Sequence, residues 1–259
     1  MKKVLLASLA GLALTTGSAL AADLGQPLYK APPPPAPPEI SWTGCYVDGG
    51  VGYGFWNQNH RTETNPGLVT LTPTVSTGGN GWLGRVGGGC DYQFASSFVI
   101  GAFADYDFAD LRGTFQDPFT GDIGNEKETG SFAAGGRVGY LITPSLLSYI
   151  DGGYTQARFD HINLSTAIGN SFPSHTYNGW FIGGGYEYSL NWLSFIPISG
   201  LFWRTEYRFQ QYQSADLPLL FNGVQTRLAS HMQKDEQTIT SGLVWRFNFG
   251  GQFASNYGQ

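Results

Sequence analysis

The sequence predicts an all-β fold, a transmembrane eight-stranded antiparallel up-and-down β-barrel, on three observations. Segments of about ten residues recur in which bulky apolar side chains alternate with charged or small ones, the period of a strand. The N-terminus reads as an export signal. No later stretch approaches the ~20 uninterrupted apolar residues of a membrane helix, so any crossing falls to strands closed into a barrel.

The elements follow in order. Lys2 and Lys3 precede an apolar run over residues 4–14, and Ala19 and Ala21 set the spacing a signal peptidase reads, so residues 1–21 are expected to be removed before Ala22. Residues 22–40 are rich in proline; they cannot donate to a ladder and are expected to form an extended periplasmic tether at ~3 Å per residue. The barrel is expected over residues 41–250 and a C-terminal tail over 251–259. Glycine (37 residues), aromatics (15%) and sparse charge (13%) depart from ordinary soluble usage. With 14 Lys and Arg against 19 Asp and Glu, no basic surface suits nucleic acid.

Eight alternating segments are countable. In residues 44–56, Val47, Val51, Tyr53 and Phe55 share one face and Tyr46, Asp48 and glycines the other. Residues 81–93 set Trp82, Val86 and Tyr92 against Arg85, Asp91 and Gln93. Residues 98–108 set Ile100, Tyr106 and Phe108 against Phe103, Asp105 and Asp107. Residues 131–141 carry Phe132, Val138 and Tyr140 opposite Arg137. Residues 147–159 are less regular, with Ile150 and Tyr154 opposing Tyr149, Asp151 and Thr155. Residues 179–188 place Trp180, Ile182, Tyr186 and Tyr188 opposite Glu187. Residues 200–210 separate most cleanly, Trp203, Tyr207 and Phe209 against Arg204, Glu206 and Arg208. Residues 237–249 put Ile239, Leu243, Trp245 and Phe247 opposite Thr238, Thr240, Val244 and Arg246.

Connections alternate in length. Residues 94–97 and 142–145 read as tight turns, whereas 57–79, 109–129, 160–177 and 212–236 read as long polar loops, the asymmetry of an outer-membrane barrel. Residues 190–199 are the exception, longer and apolar, and are expected at the membrane interface.

Volume assigns the faces. The lumen of an eight-stranded barrel is only wide enough for side chains, so the many rings must face lipid, with those near strand ends forming interfacial girdles. The opposite parity then lines the lumen: Asp48, Asp91, Asp105, Asp107, Asp151, Glu187 and Glu206 face Arg85, Arg137, Arg204, Arg208 and Arg246. Charges in a dry interior must be paired and hydrogen-bonded. The expectation is a cross-linked ionic core that plugs the lumen, with Gly50, Gly52, Gly87, Gly89 and Gly183 making room for arginine forks. A conducting path through a hydrated network is the alternative.

No catalytic, cofactor or metal constellation emerges. His60, His161, His175 and His231 fall in the expected loops and read as solvated residues without metal-ligand spacing. Gly79-Asn80-Gly81-Trp82-Leu83-Gly84 matches the dinucleotide fingerprint by letter, but it leads into a strand where the fingerprint needs a helix.

Several motifs carry a resemblance: Ala-Leu-Ala-Ala-Asp-Leu at the signal end, the proline-rich tether, Trp42-Thr43-Gly44-Cys45-Tyr46-Val47, Gly183-Gly184-Gly185-Tyr186-Glu187-Tyr188, Thr205-Glu206-Tyr207-Arg208-Phe209 and Leu243-Val244-Trp245-Arg246-Phe247. Taken in order over about residues 1–250, they resemble the alphaproteobacterial opacity-type outer-membrane β-barrel family, which includes porin-like surface antigens. The resemblance implies an eight-stranded OmpA-like barrel in the bacterial outer membrane, without catalysis or cofactor. It also implies a role in envelope integrity, adhesion or immune recognition. Implied partners are outer-membrane lipid and lipopolysaccharide, the barrel-assembly machinery, and host or cell-wall contacts. Members typically end on an aromatic residue of the last strand; here Phe247 or Phe249 is followed by residues 250–259. Cys45 and Cys90 also depart from the pattern. In a hairpin of the first two strands both lie near the periplasmic end on the outward face, as a disulfide or as two lipid-facing thiols according to register. The function expected is that of a non-enzymatic structural or surface-exposed protein with a plugged lumen, the alternative being a narrow porin or small-solute channel.

Overall fold

The computed structural model describes residues 40–192 and 199–247. The expected signal segment, most of the tether, the centre of the apolar connection and the tail lie outside the described residues. Among the described residues eleven strands follow in chain order: β1 Gly44–Thr64, β2 Val75–Phe94, β3 Phe98–Gln116, β4 Ile123–Thr143, β5 Leu146–Phe159, β6 Ile162–Asn163, β7 Asn170–Phe172, β8 His175–Ser189, β9 Leu201–Tyr212, β10 Ala215–Phe221 and β11 Val224–Phe247. β1–β5, β8, β9 and β11 pair antiparallel in sequence order, and β1 pairs with β11, so the wall closes.

Register fixes the barrel's dimensions. Partners lead from Val47 to Gly88, Ala104, Ala134, Tyr154, Trp180, Gln211, Asp235 and back to Asn57, ten residues further along β1. Eight strands with that stagger, spaced 4.8 Å and rising 3.3 Å per residue, tilt by about 41° around a wall of about 8 Å radius. Residues 45–55 of β1 then climb about 25 Å, matching the ~25 Å apolar band of such barrels.

The outer surface shows that band. Val51, Val86, Ile100, Val138, Ile150, Ile182 and Leu243 point outward, and Trp82 is 69% exposed. A lower girdle holds Tyr92, Phe98, Tyr140, Trp203 and Trp245, and an upper one Phe55, Trp82, Phe108, Tyr154 and Trp180. Three outward tyrosine hydroxyls donate to amide oxygens at the upper edge: Tyr53 to Asn80 (2.7 Å), Tyr154 to Asn178 (2.6 Å) and Tyr207 to Gln237 (2.8 Å). These pairs mark where lipid gives way to water. The spanning segments are residues 45–55, 82–94, 98–108, 132–142, 146–154, 180–188, 201–209 and 239–247.

The long loops expected over 57–79, 109–129, 160–177 and 212–236 are mostly strand. β1, β3 and β11 continue past the membrane without a break, and β6, β7 and β10 add to the sheet between β11 and β4. The cause is an inversion of polarity. Within the membrane apolar side chains face out and charges in; above it the same parity carries Trp56, Leu111, Phe115, Phe159, Tyr177, Tyr212 and Met232 inward and Asn57, Asn59, Asp110 and Arg112 outward. A register shift between Glu128 and Gly130 turns Glu128 and Glu126 inside as well. The top closes over an apolar core of Phe115, Ile162, Leu164, Phe172, Leu217, Leu219 and Met232.

Candidate functional site: the charged lumen

The lumen is built in layers. At the mouth where β1 begins Trp42 is fully buried, its backbone N–H donating to Gln93 Oε1 (3.1 Å) and its indole N–H to the Pro144 carbonyl (3.1 Å). Its ring packs on Phe202 and lies 4.8 Å below the Arg246 guanidinium. The segment entering β1 thus puts an aromatic side chain beneath the charges.

The lower charged layer is balanced, three arginines against three acids. Glu187, fully buried, accepts from Arg246 (2.7 Å), Arg204 (3.1 Å) and Arg137 (3.4 Å). Asp91 holds Arg137 through two nitrogens and Arg246 at 2.6 Å, and Asp48 holds Arg204 at 3.1 Å. The Tyr46 ring stands at the centre, with the three guanidinium carbons 4.7, 4.7 and 5.0 Å from its centroid. Cations against a ring face lose less on leaving water than bare ones.

The middle layer contains two bidentate forks, the geometry in which arginine binds carboxylate best. Arg85 grips Asp107 at 2.7 and 2.8 Å, and Arg208 grips Asp105 at 3.0 and 2.9 Å. Glu206 joins them, accepting from Arg85 and Arg208 at 2.7 Å each and from the Tyr149 hydroxyl at 2.9 Å. Asp151 is buried in the lumen with neither oxygen hydrogen-bonded. Between the two layers, among Asp48, Arg85, Asp105, Arg204, Glu206 and Thr240, lies a cavity of about 20 Å³, room for roughly one water.

All twelve charges expected in the lumen therefore point inward, and all but Asp151 are hydrogen-bonded to another of them. The inward glycines differ from expectation. A Cβ at Gly87 would meet the Asp105 side chain at 2.9 Å, and one at Gly89 the Tyr46 hydroxyl at 2.6 Å. They make room for acids and a tyrosine rather than for guanidinium forks. Cys45 and Cys90 stand opposite each other in the β1–β2 register and are bonded, 1.97 Å between sulfurs, on the outward face.

Sequence reasoning missed the upper lumen, which lies above the spanning segments. Lys234, fully enclosed, contacts Gln58 and Glu126 (2.6 Å), and its ammonium sits 4.1, 4.6 and 5.2 Å from the ring centroids of Phe159, Trp56 and Tyr177. Burial lowers its pKa. Below it Glu128 lies against Glu236 with no other residue donating to its oxygens, while Glu236 accepts from Tyr212 at 2.7 Å. Burial, followed by their mutual repulsion for Glu128, raises both carboxyls, Glu236 to about 7. His60 is also inside. Its Nε2 donates to the Gln116 carbonyl at 2.7 Å and burial lowers its pKa, so it is not the solvated loop histidine that was expected. The signal available was the continued inward parity of Trp56, Leu111 and Phe115 beyond the apolar band.

No family model matches the chain. Two 31 kDa outer-membrane immunogenic proteins, from Brucella melitensis and Brucella suis, are each 27% identical over 201 residues, covering 74% of this chain and 82% of the relative. The solved outer membrane protein OprG of Pseudomonas aeruginosa shares the fold with a TM-score of 0.51, at 12% identity over 80% of this chain and 97% of its own.

Proposed function

Because the chain forms an eight-stranded β-barrel of the bacterial outer membrane, we propose that it serves as a non-catalytic, surface-exposed envelope protein whose lumen is closed. The observation that carries this reading is the lumen itself. Two layers of mutually bonded arginines and carboxylates fill it above Trp42, and the cavity of about 20 Å³ between the layers is no passage for a solute. Charges already engaged with one another are unavailable to a substrate. Among the described residues no serine, threonine or cysteine side chain hydrogen-bonds a histidine, which supports a reading without nucleophilic catalysis. The name of the Brucella relatives, immunogenic proteins of the outer membrane, supports exposure of the upper sheet to the outside.

One observation favours the narrow-channel alternative. Asp151 and Glu128 carry unbonded oxygens inside the barrel, as a cation path would. The proposal is tested in intact cells with Ile168→Cys, at a side chain 94% exposed in the turn between β6 and β7. Both native cysteines are bonded to each other, so the new thiol reacts alone. Labelling by a membrane-impermeant maleimide is expected; protection in intact cells with reaction in lysed ones would overturn the surface placement. A change in lipid A acylation on expression would overturn the non-catalytic reading.

A further inference from the structure

We propose that Glu63, Asp216 and His231 form a binding site for a divalent transition-metal ion on the outer rim of the barrel. The three side chains come from three adjacent strands, β1, β11 and β10. His231 stands directly opposite Arg61 on β1 and Asp216 on β10, and Glu63 is the next residue of Arg61's parity. One ligand atom from each of the three residues can be chosen so that all lie within 4.8 Å of one another. Ligands around a tetrahedral ion stand about 3.4 Å apart at 2.1 Å from the metal, so side-chain rotations of about an ångström close the set.

The surroundings prepare the site. Glu63 is buried although its parity points outward, because residues 65–74 fold back over it: Glu63 bridges to Thr70, and the Thr62 N–H donates to Thr72 Oγ1 at 2.9 Å. His231 and Asp216 remain partly open, giving an ion a way in. His231 Nδ1 is 2.5 Å from Asp216 Oδ1, so the imidazole and the carboxylate already face each other. Two carboxylates converge on this place against one guanidinium, Arg61, whose Nε binds Glu63 Oε1 at 2.7 Å. One imidazole and two carboxylates suit Zn²⁺ and its neighbours in the first transition row, whereas Mg²⁺ and Ca²⁺ prefer all-oxygen sets. Three protein ligands leave a coordination position for water or an external group. A bound ion would tie β10 to β1 across β11 and brace the exposed sheet.

The test is equilibrium dialysis of Zn²⁺ and Mg²⁺ against the full chain, untagged and folded in detergent micelles. One Zn²⁺ per chain is expected, with no stoichiometric Mg²⁺. H231A should weaken Zn²⁺ binding about 100-fold or more, since even the partners of metal ligands are worth 10–100-fold. E63Q is the second variant should H231A fold poorly, and H161A, at an exposed histidine away from the site, should bind as the parent does. Absence of stoichiometric Zn²⁺, or binding that survives both H231A and E63Q, would overturn the proposal.

Discussion

Glu187→Gln perturbs the lower charged layer at its centre. The native layer sets Arg137, Arg204 and Arg246 against Asp48, Asp91 and Glu187, and Glu187 is fully buried with all three arginines within 3.4 Å. Glutamine keeps the shape but removes one negative charge and turns an amide N–H₂ toward a guanidinium. Breaking a buried ion pair by removing one partner costs about 3–5 kcal/mol, because the remaining charge stays out of water. Urea unfolding in lipid bilayers or micelles reads this directly. A second substitution makes the reasoning sharper. In the Glu187→Gln, Arg246→Gln double variant, Arg137 keeps Asp91 and Arg204 keeps Asp48, two intact pairs. The double variant should therefore be less destabilised than the sum of the single ones, by about 1–3 kcal/mol. Strict additivity, or a Glu187→Gln cost below about 1 kcal/mol, would refute a dry and mutually compensated layer.

Other expectations follow from the same geometry. Glu236 is held above the ordinary carboxyl value, at about 7, so the stability its protonated form confers is complete below about pH 4.5 and is lost as pH rises through about 7, roughly 3 kcal/mol at 1.36 kcal/mol per pH unit; Glu128, raised by burial and by Glu236, acts in the same direction. Unfolding midpoints should fall from pH 5 to pH 8, and Glu236→Gln should flatten that slope; a slope unchanged in the variant would tell against the assignment. The Cys45–Cys90 bond closes a separation of 45 residues, for which the chain-entropy argument gives about 4 kcal/mol. Cys45→Ser, Cys90→Ser should lose up to that amount in equilibrium unfolding, and an equal midpoint for the two proteins would contradict it. Phe115→Ala, in the core above the membrane beside His60 and Phe172, should cost about 3–5 kcal/mol in that sheet. Hydrogen exchange should rise in β7 and β10 and stay slow in the spanning segments; uniform change would mean that the two parts unfold together.

What could be read from the sequence followed the solvent. Where lipid surrounds the wall, outward side chains must be apolar and inward ones small or charged, so each strand from 44–56 onward carries its assignment in its own alternation. Trp203 and Tyr207 against Arg204, Glu206 and Arg208 are the plainest case. Above the lipid both faces become compatible with polar residues. Gln58 and His60 point inward while Asn57 and Asn59 point outward, and nothing in their polarity separates them. Such residues read as loop for that reason, and Lys234, Glu126, Glu128 and Glu236 with them. Trp42 was hidden differently. It precedes β1, and only the closed ring shows that the chain enters across the mouth of the barrel, where the Trp42 indole reaches Pro144. The Glu63, Asp216 and His231 cluster depends on register between strands far apart in sequence, which no local pattern encodes.

The most direct test of the closed lumen is the planar-bilayer conductance of the folded full-length protein. With the arginine–carboxylate layers and Trp42 in place, the trace should remain at the baseline of the bare membrane across the voltage range. Stable unitary current steps, reproducible from one insertion to the next, would contradict the account and replace a plugged barrel with a channel.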